Sequence, residues 1–299
     1  MRIGTRGSAL ALAQAEAVAA AVGDAELVVI RTSGDEGGPA AAVTDDKSRF
    51  VREIERALID DEVELAVHSA KDLPGELPDG LGLVGVPARE DPADVWIGPG
   101  DSITDVPEGA RVGTASVRRR SQLLTLRPDL RVVEVRGNVD TRLAKLAAGE
   151  VDGLVLAGAG LRRLGREAEI GFRFALRALT PAPGQGSLGI EARLDDERAA
   201  DAGAAVTDRE ALVELTAERA VVAGIEASCD TPVGICARHV AGALVIRAFV
   251  GLPDGSEHFY DEVEGDAEQP VALADALIER MREGGGLDLL ERAEAWGRG

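Results

Sequence analysis

The chain has 299 residues, 53 Asp+Glu against 33 Lys+Arg, and a formal charge of −20. So negative a field repels duplex nucleic acid and anionic lipid, whereas 45% hydrophobic residues exclude a disordered acidic tail and suffice for a sizeable core. Lys47, Lys71 and Lys145 are the only lysines, and abundant acid with so little Lys is the pattern that screening in a salt-rich, halophilic cytoplasm tolerates.

Along the chain, short β-branched runs alternate with helical stretches, which predicts an α/β fold with largely parallel sheets. Strands are predicted at Arg2–Thr5, Leu27–Arg31, Glu64–His68, Leu83–Val86, Val95–Ile97, Arg131–Val135 and Gly153–Leu156. Helices are predicted at Ala9–Val22, Arg49–Asp60, Val117–Leu126, Val139–Ala148 and Ala159–Leu164. Proline-rich breaks fall at Pro87–Pro92 and at Pro181-Ala182-Pro183-Gly184. A third, α+β module begins at Thr207, where Thr207-x-x-Glu210 reads as a capping box opening a helix through Val222. Val240–Val250 then reads as a strand and Val271–Arg282 as a helix. No stretch reaches the roughly 18 apolar residues of a membrane span, and Met1-Arg2-Ile3-Gly4-Thr5 lacks the pattern of a secretory leader, so the expected location is the cytoplasm.

The charge is unevenly spread. Residues 111–177 hold 14 basic and 7 acidic side chains, net +7, while residues 1–110 are net −13 and residues 201–299 net −12. A positive segment in so acidic a chain points to a concave site for a polyanion, the alternative being chance salt-bridging on helices.

Four strand-to-helix junctions carry polar residues where open α/β sheets bind ligands, beyond the carboxyl ends of strands. They contain Arg6 and Ser8; Lys71 and Asp72; Ser116, Arg118, Arg119 and Arg120; and Arg136, Gly137 and Asn138 with Arg142 one turn further on. With Ser116 as N-cap, the three arginines occupy the first turn of a helix, where positive charge opposes the helix dipole at about 0.3–1 kcal/mol each. An anion held there reverses the sign of that argument. No Gly-x-x-x-x-Gly-Lys or Gly-x-Gly-x-x-Gly loop follows a strand, and arginines spread over several junctions suit separated carboxylates better than one compact phosphate. Arg163 adds a further fork. Asp72 reads either as a turn residue before Leu73-Pro74 with Lys71 as its charge partner, or as a carboxylate that stabilises a cationic intermediate or accepts ligand N–H bonds. His68, near a strand end, reads as a core histidine.

Cys229 and Cys236 match neither a disulfide framework nor a zinc pattern, so no metal is expected. Cys236 reads as a small buried hydrophobe. Cys229, in the turn-rich Glu226-Ala227-Ser228-Cys229-Asp230-Thr231-Pro232, reads equally as a packing residue or as an accessible thiol for covalent attachment.

Taken together these segments resemble the porphobilinogen deaminase (hydroxymethylbilane synthase) family. The blocks that carry the resemblance are RIGTRGS at 2–8, FVREIE at 50–55, LAVHSAKDLP at 65–74, GLGLVGVPAREDPAD at 80–94, RVGTASVRRRSQL at 111–123, RPDLRVVEVRGNVDTRLAKL at 127–146, LAGAGLRRLG at 156–165, PAPGQGSLGIEARLDD at 181–196 and EASCDTP at 226–232. The resemblance implies a transferase that joins four porphobilinogen molecules head to tail with loss of ammonia and frees hydroxymethylbilane by hydrolysis. It implies a dipyrromethane cofactor held as a thioether on Cys229, a catalytic Asp72, and binding of pyrrole carboxylates by Arg6, Ser8, Lys71, Ser116, Arg118, Arg119, Arg136, Arg142 and Arg163. The implied fold is two type II periplasmic-binding-protein-like domains, 1–87 with 187–204 and 92–180, followed by a small α+β domain at 207–299; a monomer is expected.

Two stretches depart from the family pattern. Its glycine-bearing mobile loop with a Gly-Lys-Gly core reads Thr44-Asp45-Asp46-Lys47-Ser48-Arg49 here, keeping Lys47 without the flanking glycines, and Ala227-Ser228 precedes the attachment cysteine where the family often has glycine. A dicarboxylate solute-binding protein without catalysis is the alternative reading, since its two domains would look alike; a phosphate or nucleotide enzyme built on the same arginines is another.

Overall fold

The computed structural model of the chain describes residues 1–30, 49–227 and 231–296. Lys47 and Cys229 lie outside the described residues.

The chain opens with β1 (Arg2–Thr5), α1 (Ala9–Val22), β2 (Glu26–Val29), α2 (Arg49–Ile59), β3 (Leu65–Ser69) and β4 (Leu81–Gly85). It then crosses into a second set of elements: β5 (Asp94–Ile97), β6 (Arg111–Gly113), α3 (Val117–Leu126), β7 (Arg131–Val133), α4 (Val139–Ala147), β8 (Gly153–Ala157), α5 (Gly158–Arg163) and β9 (Phe172–Arg173). After the return come β10 (Leu188–Arg193) and α6 (Glu197–Ala205), and then α7 (Arg209–Gly224), β11 (Val233–Val240), β12 (Ala243–Gly251), β13 (His258–Gly265), α8 (Pro270–Glu283) and α9 (Gly286–Trp296).

Two five-stranded sheets share one plan. The first runs β2-β1-β3-β10-β4 and the second β7-β6-β8-β5-β9. In each, three strands are parallel and the fourth is antiparallel to both of its neighbours. These are the two type II periplasmic-binding-protein-like α/β units, and a smaller unit of a three-stranded antiparallel meander with helices follows them. Four of the five strands in each sheet thus run one way, in line with the expectation of largely parallel sheets, and one strand is reversed. The two antiparallel strands, β5 and β10, are those by which the chain enters a sheet straight from a crossing segment, so their direction is set by the crossing and not by a βαβ turn.

Each unit has its own core. Ile3, Ala15, Val18, Leu65, Val67 and Ile190 pack between α1 and the first sheet; Trp96, Val112, Leu123, Val155 and Leu179 fill one face of the second. The third core is built from α7, α8, α9 and the meander, around Val221, Ile235, Ile246, Leu277 and Met281. Burying such side chains contributes about 1.5–3 kcal/mol each, so every unit has its own hydrophobic stabilisation.

Three local expectations change. Asp208, not Thr207, caps α7: its carboxylate accepts from Ala211 N at 2.8 Å. Thr207 instead donates its hydroxyl to Gly203 O at 2.8 Å and accepts from Val86 N, which moves the helix start by one residue. The strand predicted at Val240–Val250 is the end of β11, a two-residue turn and β12; Ala241 and Gly242 have φ of 50° and 89°, the positive pair that a tight hairpin needs. In the second sheet β7 ends at Val133, two residues before the predicted end at Val135.

Cys236 lies on β11, wholly buried. Burial, reinforced by the Glu218 carboxylate, pushes its thiol up to about 12. Since the thiolate is the reactive form, Cys236 will resist iodoacetamide at pH 8 in the folded chain and react on unfolding. Peptide mass mapping checks this, and alkylation of Cys236 in the native state would contradict it.

Candidate active site

The carboxyl ends of the parallel strands in the two α/β units face a cleft of about 950 Å³. All ten described residues expected from the sequence line it. Arg6 and Ser8 follow β1; Lys71 and Asp72 form a 3₁₀ turn after β3; Ser116, Arg118 and Arg119 open α3; Arg136 follows β7; Arg142 lies on α4 and Arg163 ends α5. Lys47 and Cys229 belong to the expected set but fall outside the described residues. His68 does not line the cleft; it is buried in the first sheet with Nε2 2.9 Å from Glu191 Oε2, in keeping with a core role.

Helix starts build much of this surface. Ser8 caps α1 by accepting from Ala11 N at 3.3 Å, and Ser116 caps α3 by accepting from Arg119 N at 3.4 Å. Asn138 does the same for α4 through Thr141 N. With Ser116 as the cap, Arg118 and Arg119 do stand in the first turn of α3, against the helix dipole.

Part of the anion that offsets them is supplied by the protein itself. Asp94, wholly buried at the start of β5, accepts from Arg118 Nη1 at 2.8 Å and from Arg119 Nε and Nη2 at 3.0 and 2.8 Å. Gln185 Nε2 donates to the same carboxylate at 2.9 Å. Burial works against the charge of Asp94, but the two guanidinium groups outweigh it and hold the carboxyl at about 2. Arg118 also donates to Thr180 O at 2.6 Å. Arg120, third of the run, points elsewhere and donates to Pro253 O in the third unit.

The other cations are held differently. Arg142 Nε donates to Gly137 O at 2.7 Å and Arg163 Nη2 to Gly186 O at 2.6 Å. Among the described residues neither has a carboxylate within ion-pair distance. Burial lowers the pKa of both, and repulsion from Arg119 lowers that of Arg142 further. A guanidinium so placed gains from any anion that enters. Arg136 is exposed and paired with Glu134. Of the described lining residues only Asp72 and Asp140 are carboxylates, and Asp140 is engaged by Arg166 at 2.5 Å. Leu10, Leu156, Leu164, Leu215 and Val222 supply apolar surface between the charges.

The Asp72 turn is pressed against the return crossing. Ala70 N donates to Ser187 O at 3.0 Å. Gly184 has φ +73°, and a Cβ there would lie 2.8 Å from Ala70 C and Lys71 N, so only glycine permits this approach. The outward and return crossings are themselves joined: Gln185 donates to Pro92 O at 2.6 Å, Arg89 donates to Gln185 O, and Glu90 N donates to Gly186 O. Arg89 also reaches α7, pairing with Glu218 at 2.8 Å and Glu214 at 3.2 Å.

Asp94, Gln185, Arg89, Glu218 and Arg219 were not among the residues expected from the sequence. An acid inside the fully buried strand Asp94-Val95-Trp96-Ile97, and carboxylates four apart on the buried face of α7, are the signals that could have exposed the first and fourth.

A two-lobed α/β protein with an apolar-lined, cation-rich cleft and a single carboxylate on a braced turn is a protein that takes a polycarboxylate between its lobes. The comparisons sharpen this class. Residues 1–201 match the family model described as "Porphobilinogen deaminase, dipyromethane cofactor binding domain", and residues 212–283 the one described as "Porphobilinogen deaminase, C-terminal domain". The chain is 44% identical to the porphobilinogen deaminase of Syntrophus aciditrophicus, over 98% of its own length and 99% of that protein. It is 44% identical to that of Desulforudis audaxviator over 98% and 97%, and 43% identical to that of Thermus thermophilus over 96% and 97%. The chain belongs to the porphobilinogen deaminase family.

Replacing Asp94 by Asn leaves two buried guanidinium groups short of a counter-charge and will cost about 3–5 kcal/mol in urea unfolding at pH 7. Because the folded pKa of Asp94 is depressed, its contribution is full above the ordinary value of 3.8 and is lost as the pH falls towards about 2. The gap between wild type and variant will therefore narrow by about 2 kcal/mol from pH 4.5 to pH 2. A gap independent of pH would contradict the assignment.

Proposed function

We propose that this chain is a hydroxymethylbilane synthase, a transferase that condenses four porphobilinogen molecules and releases the linear tetrapyrrole by hydrolysis. The observation that carries the reading is the cleft itself. Each porphobilinogen brings an acetate and a propionate on an apolar ring, and the lining alternates guanidinium groups with leucines.

The residues present fit a dipyrromethane, which is also a polycarboxylate with apolar rings: Arg142 and Arg163 have no carboxylate within ion-pair distance among the described residues, and burial outweighs the more distant Glu90 at Arg163. Arg6, Ser8, Lys71, Ser116, Arg118, Arg119, Arg136, Arg142 and Arg163 would hold its carboxylates and those of the added units. Bound through a thioether to Cys229, the group supplies the pyrrole end onto which porphobilinogen is added.

The protein's own contribution follows from charge. At each addition the C–N bond of the aminomethyl group breaks and ammonia leaves, a C–C bond forms, and the pyrrole carbon attacked loses its proton. Departure of ammonia leaves a cation on the incoming ring. Asp72, among the described lining residues the one carboxylate not engaged by an arginine, stabilises that cation and accepts pyrrole N–H bonds. The arginines meanwhile hold the ring side chains, so that Asp72 meets the reacting end. Water completes the last step by freeing the tetrapyrrole. We assign the chain three domains, 1–87 with 187–204, 92–180 and 207–299. We further assign it a cytoplasmic, monomeric, salt-adapted existence, the last supported by 53 Asp+Glu against 33 Lys+Arg.

Asp72→Asn will retain the fold and lower porphobilinogen consumption at least about 100-fold, as expected when a charge-stabilising group is lost. Near-normal turnover would remove Asp72 from the chemistry. Cys229→Ala will show the bare polypeptide mass with no pyrrole adduct by intact-protein mass spectrometry, while wild type carries one; an adduct persisting in the variant would place the attachment elsewhere.

A further inference from the structure

Arg219 stands on α7, in the third unit, yet it lines the cleft. Its fork reaches back across 145 residues of chain: Nη1 donates to Pro74 O at 3.0 Å and Nη2 to Gly75 O at 2.7 Å. These two carbonyls lie just beyond the Ala70–Asp72 turn, with the buried Leu73 between. Among the described residues no carboxylate lies within ion-pair distance of Arg219. Burial lowers its pKa, and Glu191 only partly offsets this. An arginine with no carboxylate at ion-pair distance among the described residues, whose fork engages two successive carbonyls, supplies geometry more than ion-pair energy.

The anchor behind it is rigid. The preceding residue, Glu218, is wholly buried, accepts from Gly184 N at 2.5 Å and from Ala237 N at 2.7 Å, and pairs with Arg89. The entry to the Asp72 turn is braced by Ser187 and Gly184; its exit is tied by Arg219 to the same helix that holds Gly184.

We infer that Arg219 is a positioning residue, which fixes the exit of the Asp72 turn against α7 and thereby sets where the Asp72 carboxylate stands in the cleft. This rests on the reading of Asp72 as the catalytic carboxylate. It separates Arg219 from Arg142 and Arg163, which hold substrate carboxylates. A lysine keeps the charge but lacks the planar fork, so it cannot present two parallel N–H groups to neighbouring carbonyls.

The test uses the full chain carrying its pyrrole primer and two variants, Arg219→Gln and Arg219→Lys. Amide hydrogen exchange over residues 70–76 will quicken at least about 10-fold in both, with the rest of the first sheet unchanged. With porphobilinogen, kcat will fall about 10–100-fold, the scale of a small misplacement of a reacting group, while KM stays within about twofold. Lysine will restore neither. A rise in KM at unchanged kcat, rescued by lysine, would make Arg219 a carboxylate-binding residue and overturn the inference; so would unchanged exchange and kcat. If Arg219→Gln fails to fold, Arg219→Lys decides by the same two readings. Wild type that consumes no porphobilinogen would instead sink the synthase reading, and the exchange result would still decide whether Arg219 holds the turn.

Discussion

Concentrated positive charge has to be kept in one place against its own repulsion, and the buried Asp94 carboxylate is what permits it. Arg118 and Arg119 sit in a helix's first turn, where the dipole is unfavourable to them, and both are nearly inaccessible. Without a counter-charge, two such groups out of water cost several kcal/mol. Asp94 meets them from β5, the strand by which the chain enters the second sheet. The same carboxylate accepts from Gln185 on the return crossing, so the charge that steadies the cleft is also bonded to the segments between the lobes. Asp94 pairs with Arg118 and Arg119 and not with Arg142 or Arg163, which on the proposed function keep their charge for the carboxylates of the ligand.

The crossings make this arrangement transmissible. Arg89 and Glu218 join the outward crossing to α7, Gln185 and Pro92 join the two crossings, and Gly184 packs directly on the Asp72 turn. Movement of one lobe against the other, or of the third unit against either, strains these bonds together with the ties from Arg219 to Pro74 and Gly75 and from Arg120 to Pro253. Much of this network is charge-assisted and buried, the circumstance in which hydrogen bonds most strongly specify one geometry. The acidic surface elsewhere plays no part in it: pairs such as Arg56–Asp60 and Arg282–Glu279 are exposed, and such pairs contribute little.

Local signals in the sequence carried far. The helix spans Ala9–Val22 and Val117–Leu126 are those observed, and the arginines opening α3 were conspicuous because stability alone would place acid there. What escaped were features fixed by distant partners. Asp94 gains its meaning from residues 24 and 25 positions away, across the second unit. Arg219 gains its own from carbonyls in the first. The choice between Thr207 and Asp208 as cap turned on the Gly203 carbonyl, which claims the threonine hydroxyl. The β11–β12 turn was hidden because Ala241-Gly242 lacks the Asn-Gly or Asp-Gly signature of such hairpins, although its backbone adopts their conformation. The direction of β5 and β10 depends on how the crossings enter each sheet, which no local periodicity encodes.

The central claim is that the cleft reads carboxylates on a pyrrole ring through fixed guanidinium groups. Its most direct test compares kcat/KM for porphobilinogen with that for an analogue in which the acetate is replaced by methyl, the aminomethyl group being kept. A site built around buried polar groups rejects a partner that leaves them unpaired. The analogue should therefore lose at least about 100-fold in kcat/KM. Equal values for the two compounds would contradict the account.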